Sequence, residues 1–422
     1  MGIKKRLVLL SFLQFFIWGC WLLTIGAYWF QTKHWSGTSL GAIFSTMGIA
    51  ALFMPTIAGI IADRWVNAEK LYGSFHIIGA VILFFVPRIN DPSVMYWFIL
   101  VYMLFYMPTI SLGITVSYSA LKNKGLNIIS VYPPIRIWGT IGFIVALWVI
   151  SISGVETSGV QFYVASAASL LLGLYSFTLP PCLPLGKGVM RSFVAALGLN
   201  AFSLFKQRKM AMFFLFALLL GAALQLTNAY GDTFLQDFKK MPVFANLLAV
   251  KFPAIIMSIS QMSETLFILT IPFFLRKFGI KKIMLLSMLA WVLRFGLFAY
   301  GDPGSGLWMI LLSCIIYGMA FDFFNIAGSL YVEIQSEPAI RASAQGLFMM
   351  MANGVGAFLG SRISGIVIDK YFKISSEANA IQFNWKGIWL AFALYALLVA
   401  ILFVIFFRHK HNPDDYKGHL IS

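Results

Sequence analysis

Hydrophobic residues in this chain do not alternate with polar ones; they come in predominantly apolar runs, most of about 20 residues or more, which suits crossing roughly 30 Å of hydrocarbon as helices. Twelve such runs lie near Leu7 to Phe30, Leu40 to Ala62, Leu71 to Val86, Val94 to Leu121, Ile135 to Ser153, Val160 to Leu179, Met210 to Leu235, Pro253 to Leu275, Ile283 to Tyr300, Leu307 to Val332, Ala342 to Ile368 and Gly387 to Phe407. A transmembrane barrel would show short segments of strict alternation, and none is found, so helices are the spanning solution that fits. The pattern predicts an all-α membrane protein of twelve transmembrane helices.

The longest hydrophilic interruption runs from Pro180 to Lys209, after the sixth run. It predicts an N-terminal six-helix bundle at 1–180, a cytoplasmic linker at 181–209, a C-terminal six-helix bundle at 210–408 and a cytoplasmic tail at 409–422. Within the linker, Val189 to Phe205 mixes apolar residues ahead of Lys206, Arg208 and Lys209, which suits a short helix lying on the inner membrane surface. A weak internal repeat supports two halves: GIIADRWVNAEK at 59–70 follows the second run, and IPFFLRKFGIKK at 271–282 follows the eighth. Two pseudo-symmetric bundles of six are a transporter layout, with a substrate site expected near the midplane. Gly59, Asp63, Arg64 and Lys70 resemble the signature loop of the major facilitator superfamily, although that family's second glycine is replaced by Val66 or Asn67. Physically, such a charge cluster at the cytoplasmic mouth can grip a neighbouring helix end in one state and release it in another, so these four are candidate gating residues.

Composition agrees with a bilayer as solvent. The 422 residues are 60% hydrophobic and 11% charged, with a mean hydropathy of +0.85, which defines an integral membrane protein. The formal net charge of +16 is scattered over short loops, and no soluble domain is large enough to present a nucleic-acid-binding face. About 20 of the basic residues fall at one set of helix ends, against roughly 8 at the other, which puts both termini in the cytoplasm. The basic start and long apolar stretch of Met1 to Phe30 are expected to remain as the first helix, since no small-residue cleavage site follows. Cys20, Cys182 and Cys314 have no paired or metal-like spacing and read as packing residues.

Against that background, four side chains able to carry charge stand inside spans: Arg136, Glu264, Arg294 and Asp322. Such groups usually face one another or a water-filled path. Helical spacing sorts the remaining polar residues into faces. Arg136, Thr140 and Phe143 share one stripe of the fifth span; Gln225 and Asn228 share one of the seventh. Gln261 and Glu264 repeat that spacing on the eighth, with Ser258 and Ser260 nearby. On the tenth, Tyr317 and Phe321 are one turn apart, with Asp322 and Asn325 on an adjacent stripe. Amides that donate and accept suit a nucleobase edge or sugar hydroxyls, and the aromatics offer a flat ligand a stacking face. Each pair by itself can also serve as helix–helix glue. Glu264 and Asp322 are the candidates for proton coupling, and Arg136 is a fixed cation able to hold a carboxylate or a substrate carbonyl. Arg294 reads as a partner within the C-terminal bundle, and His76 as a packed histidine.

Several stretches are far more specific than the superfamily loop: SFLQFFIWGCWLLTIGAYWF at 11–30, VYPPIRIWGTIGF at 131–143, MSISQMSETLFILTIPFFL at 257–275, WVLRFGLFAYGDP at 291–303 and YGMAFDFFNIAGS at 317–329, with AIRASAQG after it. Together they resemble the nucleoside:proton symporter family over nearly the whole chain. The resemblance implies import of nucleosides such as uridine and adenosine with a proton, by alternating access, in a bacterial cytoplasmic (inner) membrane. It ascribes nucleoside contacts to the fifth, seventh, eighth and tenth helices, where the matching residues are Arg136, Thr140, Phe143, Gln225, Asn228, Gln261, Glu264, Tyr317 and Phe321, with Asp322 beside them. The chain departs from that pattern at Ala223, where an acidic residue is expected just before Gln225 and Asn228; the departure bears on coupling and substrate range.

The reading is therefore a proton-coupled carrier embedded in the bilayer, needing no cofactor other than the coupling proton, no nucleic acid, and no second copy. A sugar:proton symporter is the alternative, since amides and stacking aromatics also suit a pyranose. An enzyme would need a nucleophile with its base, or a metal cluster, for which His and Cys are too few and scattered. Coupling to ATP would need a Gly-rich phosphate loop with its Lys, and none occurs.

Overall fold

The computed structural model describes residues 2–184, 199–337, 340–374 and 382–409. The chain divides into two compact units, Met1–Ser192 and Phe193–Ser422. The first holds α1 (Ile3–Gly19), α2 (Gly37–Arg64), α3 (Ala68–Phe85), α4 (Pro92–Lys122), α5 (Ile128–Ile152) and α6 (Val160–Ser176). The second holds α7 (Arg208–Asp237), α8 (253–278), α9 (280–300), α10 (Leu307–Gln335), α11 (341–371) and α12 (Trp385–Phe406). A two-stranded antiparallel hairpin, β1 (Lys373–Ile374) with β2 (Gln382–Phe383), stands between α11 and α12. Most of the interfacial helix expected at 189–205 lies outside the described residues; its end falls in the 3-10 helix Leu199–Lys206. The tail beyond His409 is also outside them.

Among the described residues nine helices are long and apolar enough to cross a membrane. One is the 48-residue run Pro253–Tyr300, which breaks at Gly279 into α8 and α9. That break, α1 and the 17-residue α6 complete the twelve runs of the sequence. Gly279 has φ 76° and ψ 166°, a conformation open in practice to glycine alone. The chain reverses there, bringing Arg294 of α9 beside Ser260 of α8. Helix starts follow the usual capping chemistry. Asp91 accepts from Ser93 N and Val94 N ahead of Pro92, Ser36 accepts from Ser39 N, and Asn384 accepts from Gly387 N.

Two expectations need correction. The first span is not one helix from Leu7 to Phe30: α1 ends at Gly19, and a π-helix, Tyr28–Thr32, follows after a turn. The superfamily-like segment is not mainly a loop either. Gly59, Asp63 and Arg64 complete the last turns of α2, and Lys70 sits in the first turn of α3, leaving Trp65, Val66 and Asn67 between helices. Nothing in that stretch stops a helix before Arg64, so α2 simply continues out of the apolar region. Glu69, beside Lys70, is buried and accepts from Cys182 N at 2.8 Å and Asn67 Nδ2 at 3.0 Å. It ties the segment after α6 to the start of α3.

Between helices in a bilayer there is little hydrophobic driving force, so close backbone approach and interhelical hydrogen bonds hold the units together. In the first unit Gln14 of α1 is the hub. Its Nε2 donates to Thr109 Oγ1 on α4 at 2.9 Å, while its Oε1 accepts from Tyr72 OH at 2.7 Å and lies 2.9 Å from His76 Nε2, both on α3. Tyr106 OH donates to the Gln14 carbonyl at 2.8 Å. His76 is thus packed and hydrogen-bonded, with Ser169 Oγ of α6 at 3.3 Å from Nδ1. In the second unit α9 and α12 share an aromatic core of Phe295, Phe298, Trp389 and Phe392. Gly318 brings α10 against α8: a Cβ there would stand 2.6 Å from Ser263 O and 2.8 Å from Glu264 N.

Candidate transport site

The first unit presents Arg136, Thr140 and Phe143 on α5, inside its apolar length. The Arg136 guanidinium lies over the Phe15 ring of α1, 4.1 Å from its centroid. Phe143 is buried, and its carbonyl abuts Gly19 of α1. Arg136 and Thr140 are half-buried. An aromatic face replaces part of the water that a guanidinium loses at this depth, and the planar group suits bidentate recognition chemically.

In the second unit, Gln225 and Asn228 stand on α7. Gln225 is buried, with Oε1 lacking a hydrogen-bond partner among the described residues. Ala223, the position of the departure, is fully buried beside it. On α8, Gln261 Oε1 also lacks a partner among the described residues, and Glu264 is half-buried. On α10 the rings of Tyr317 and Phe321 are parallel, 3° between planes with centroids 5.8 Å apart. Asp322 is buried, and its Oδ2 has no hydrogen-bond partner among the described residues. Glu264 and Asp322 are near enough to interact electrostatically with each other and with Tyr317. Buried amide and carboxyl oxygens left open are costly unless a proton or a ligand N–H completes them. The second unit therefore gathers acceptors, a stacked aromatic pair and two carboxyls on α7, α8 and α10.

A cavity in this unit is lined mostly by other residues. About 540 Å³ opens among Ile268 and Pro272 of α8, Asn325, Ser329 and Glu333 of α10, and Gln345 of α11, a volume suited to a small solute. Asn325, Ser329 and Glu333 recur at i, i+4 and i+8, one face of α10; of these the sequence analysis singled out Asn325 alone. Ser329 Oγ is 3.0 Å from Gln345 Oε1, and Glu333 pairs with Arg341 at 3.2 Å. A smaller cleft is lined by Leu220, Leu224, Trp291, Phe321 and Asn353, and shares Asn325 with the first. Sequence reading also passed over Asp232, one turn beyond Asn228 on α7 and 1% exposed. Its spacing from Asn228 was the available signal, masked because it lies close to the end of the apolar run.

Helical units whose spans carry cations, carboxyls and amides inside the apolar region fit a secondary transporter of the major facilitator type. Comparison makes the class specific. The model of the nucleoside H+ symporter family matches residues 1–412, and the chain belongs to that family. It is 51% identical to a xanthosine permease of Escherichia coli (strain K12), over 100% of both chains. It is 50% identical to the nucleoside permease NupG of the same organism, over 97% of each. The crystal structure of the nucleoside transporter NupG superposes with a TM-score of 0.91, at 50% identity, over 97% of this chain and 100% of that one. These relatives are permeases, which carry solutes rather than convert them.

Proposed function

We propose that this protein imports nucleosides together with protons across the cytoplasmic membrane of a bacterium, by alternating access. The observation that carries this reading is the pairing, in a nucleoside H+ symporter, of the parallel Tyr317–Phe321 rings with the neighbouring carboxyls Glu264 and Asp322. A nucleobase stacks on Tyr317, Phe321 or Phe143. Gln225, Asn228 and Gln261 read its edge and the ribose hydroxyls, with Thr140 adding a hydroxyl and Arg136 a bidentate donor. Glu264 or Asp322 takes a proton from outside, which favours loading. Substrate and proton together permit the change of state, and release of the proton inside lets the nucleoside leave.

Gly59, Asp63, Arg64 and Lys70, at the junction of α2 and α3, serve as the cytoplasmic gate. Both termini are cytoplasmic, the bilayer is the only other partner, a single copy suffices, and the proton is the only coupling species. The two relatives at similar identity bear different substrate names, xanthosine and nucleosides, so selectivity is part of the test. Proteoliposomes are loaded with purified protein, and uptake of labelled uridine, adenosine and xanthosine is followed with and without an inward proton gradient. Accumulation that collapses with a protonophore is expected. Equilibration indifferent to the gradient would refute coupling. No uptake of any of the three by folded protein would overturn the substrate class and favour the sugar alternative.

A further inference from the structure

Arg294 is 0% exposed, deep in the second unit on α9. Its Nη1 donates to the Ser313 carbonyl of α10 at 2.6 Å, and Nη1 and Nη2 each lie 3.4 Å from Ser260 Oγ of α8. Ser313 Oγ donates back to the Arg294 carbonyl at 3.0 Å. Among the described residues no carboxylate forms an ion pair with it. The buried Cys314 side chain also lies against the guanidinium, and two rings flank it: the Cζ atom is 4.7 Å from the centroid of Tyr317 and 5.1 Å from that of Phe298. Removing a guanidinium from water is expensive, and an apolar side chain would fill the same space without that cost. What the cation adds is a directional hold on Tyr317, strongest where water is excluded. Tyr317 is further fixed by the edge of Trp291, at 89° and 6.0 Å, and lies parallel to Phe321.

We infer that Arg294 is a positioning residue for the substrate's aromatic face: pinned by Ser313 and Ser260, its guanidinium sets the orientation of Tyr317 and, through the stack, of Phe321. The inference rests on the nucleoside reading above. The planar fork matters, because its spread nitrogens reach Ser313 and Ser260 while the delocalised charge stays over the ring, whereas an ammonium concentrates its charge at one point. Arg294 touches neither the substrate nor the proton; it acts on binding through Tyr317.

The test compares Arg294→Met, Arg294→Lys and Tyr317→Leu in proteoliposomes, reading KM and Vmax for uridine and the adenosine-to-uridine uptake ratio, with the melting temperature of each purified variant. Arg294→Met is expected to raise KM about tenfold and to shift the ratio, with Arg294→Lys intermediate. In a Tyr317→Leu background, Arg294→Lys should add nothing further, because its target ring is gone. If Arg294→Met does not fold, Arg294→Lys decides through the same readouts. A folded Arg294 variant with unchanged KM and ratio, or with losses confined to Vmax and melting temperature, overturns the inference. Tyr317→Leu with unchanged KM would instead bring down the proposed binding face itself.

Discussion

Gly318 is where the packing of the second unit and its chemistry depend on the same atom. A Cβ at this position would meet Ser263 O at 2.6 Å, Ser263 C at 2.7 Å and Glu264 N at 2.8 Å, whereas ordinary contact begins at 3.4 Å. All three neighbours are helix backbone, so no side chain can rotate away. In Gly318→Ala, α8 and α10 must therefore part by about 0.6 to 0.8 Å, the shortfall between 3.4 Å and those contacts. The Gly318 N to Ser263 Oγ hydrogen bond, already 3.3 Å, is lost in the process. Overpacking of this kind costs about 1–3 kcal/mol. The same separation moves Glu264 from Tyr317 and Asp322, and a displacement approaching 1 Å in a positioned site costs on the order of tenfold or more in rate. The assay is initial uridine uptake into proteoliposomes at matched protein density, with thermal unfolding of the purified protein alongside. Gly296→Ala is the internal control, since a Cβ there meets nothing within 4 Å; its stability should hold or rise slightly. Gly318→Ala with uptake within about twofold of the parent and an unchanged melting temperature would refute the argument that this contact sets the site.

Three further outcomes are expected. Asp322→Asn should abolish accumulation driven by a proton gradient while preserving nucleoside exchange, because the amide keeps the shape and loses the proton site; counterflow measures this, and gradient-driven accumulation in the variant would remove Asp322 from coupling. Gly279→Ala forces a side chain into φ 76° and should destabilise the protein by about 1–3 kcal/mol, read as a lower melting temperature; an unchanged value would mean the α8–α9 turn is made another way. Gln14→Leu leaves Tyr72 OH and His76 Nε2 without their Gln14 partner and takes one partner from Thr109 Oγ1, and each buried group left orphaned costs about 1–3 kcal/mol. A large drop in melting temperature is expected, and a loss below about 1 kcal/mol in chemical unfolding would show that the hub is dispensable.

Sequence by itself determined the twelve spans and their sorting into polar faces, because in a bilayer every backbone group must be satisfied within its own helix, so hydrophobic length dictates the element. It also reached Arg136, Glu264, Arg294 and Asp322, since a charge inside an apolar run stands out without any coordinates. Tertiary structure decided the rest. Whether Glu264 faces Tyr317 and Asp322 depends on how closely α8 approaches α10, which a single missing Cβ at Gly318 sets. That Gln14 joins α1 to α3 and α4, and that Arg294 rests on Tyr317, are contacts between residues dozens of positions apart, for which helical periodicity carries no information. Gly279 is an intermediate case: the sequence separated the eighth and ninth runs between Leu275 and Ile283, and the left-handed φ shows which residue makes the break and why it is a glycine. Periodicity fixes which face a side chain lies on; packing between helices fixes what that face meets.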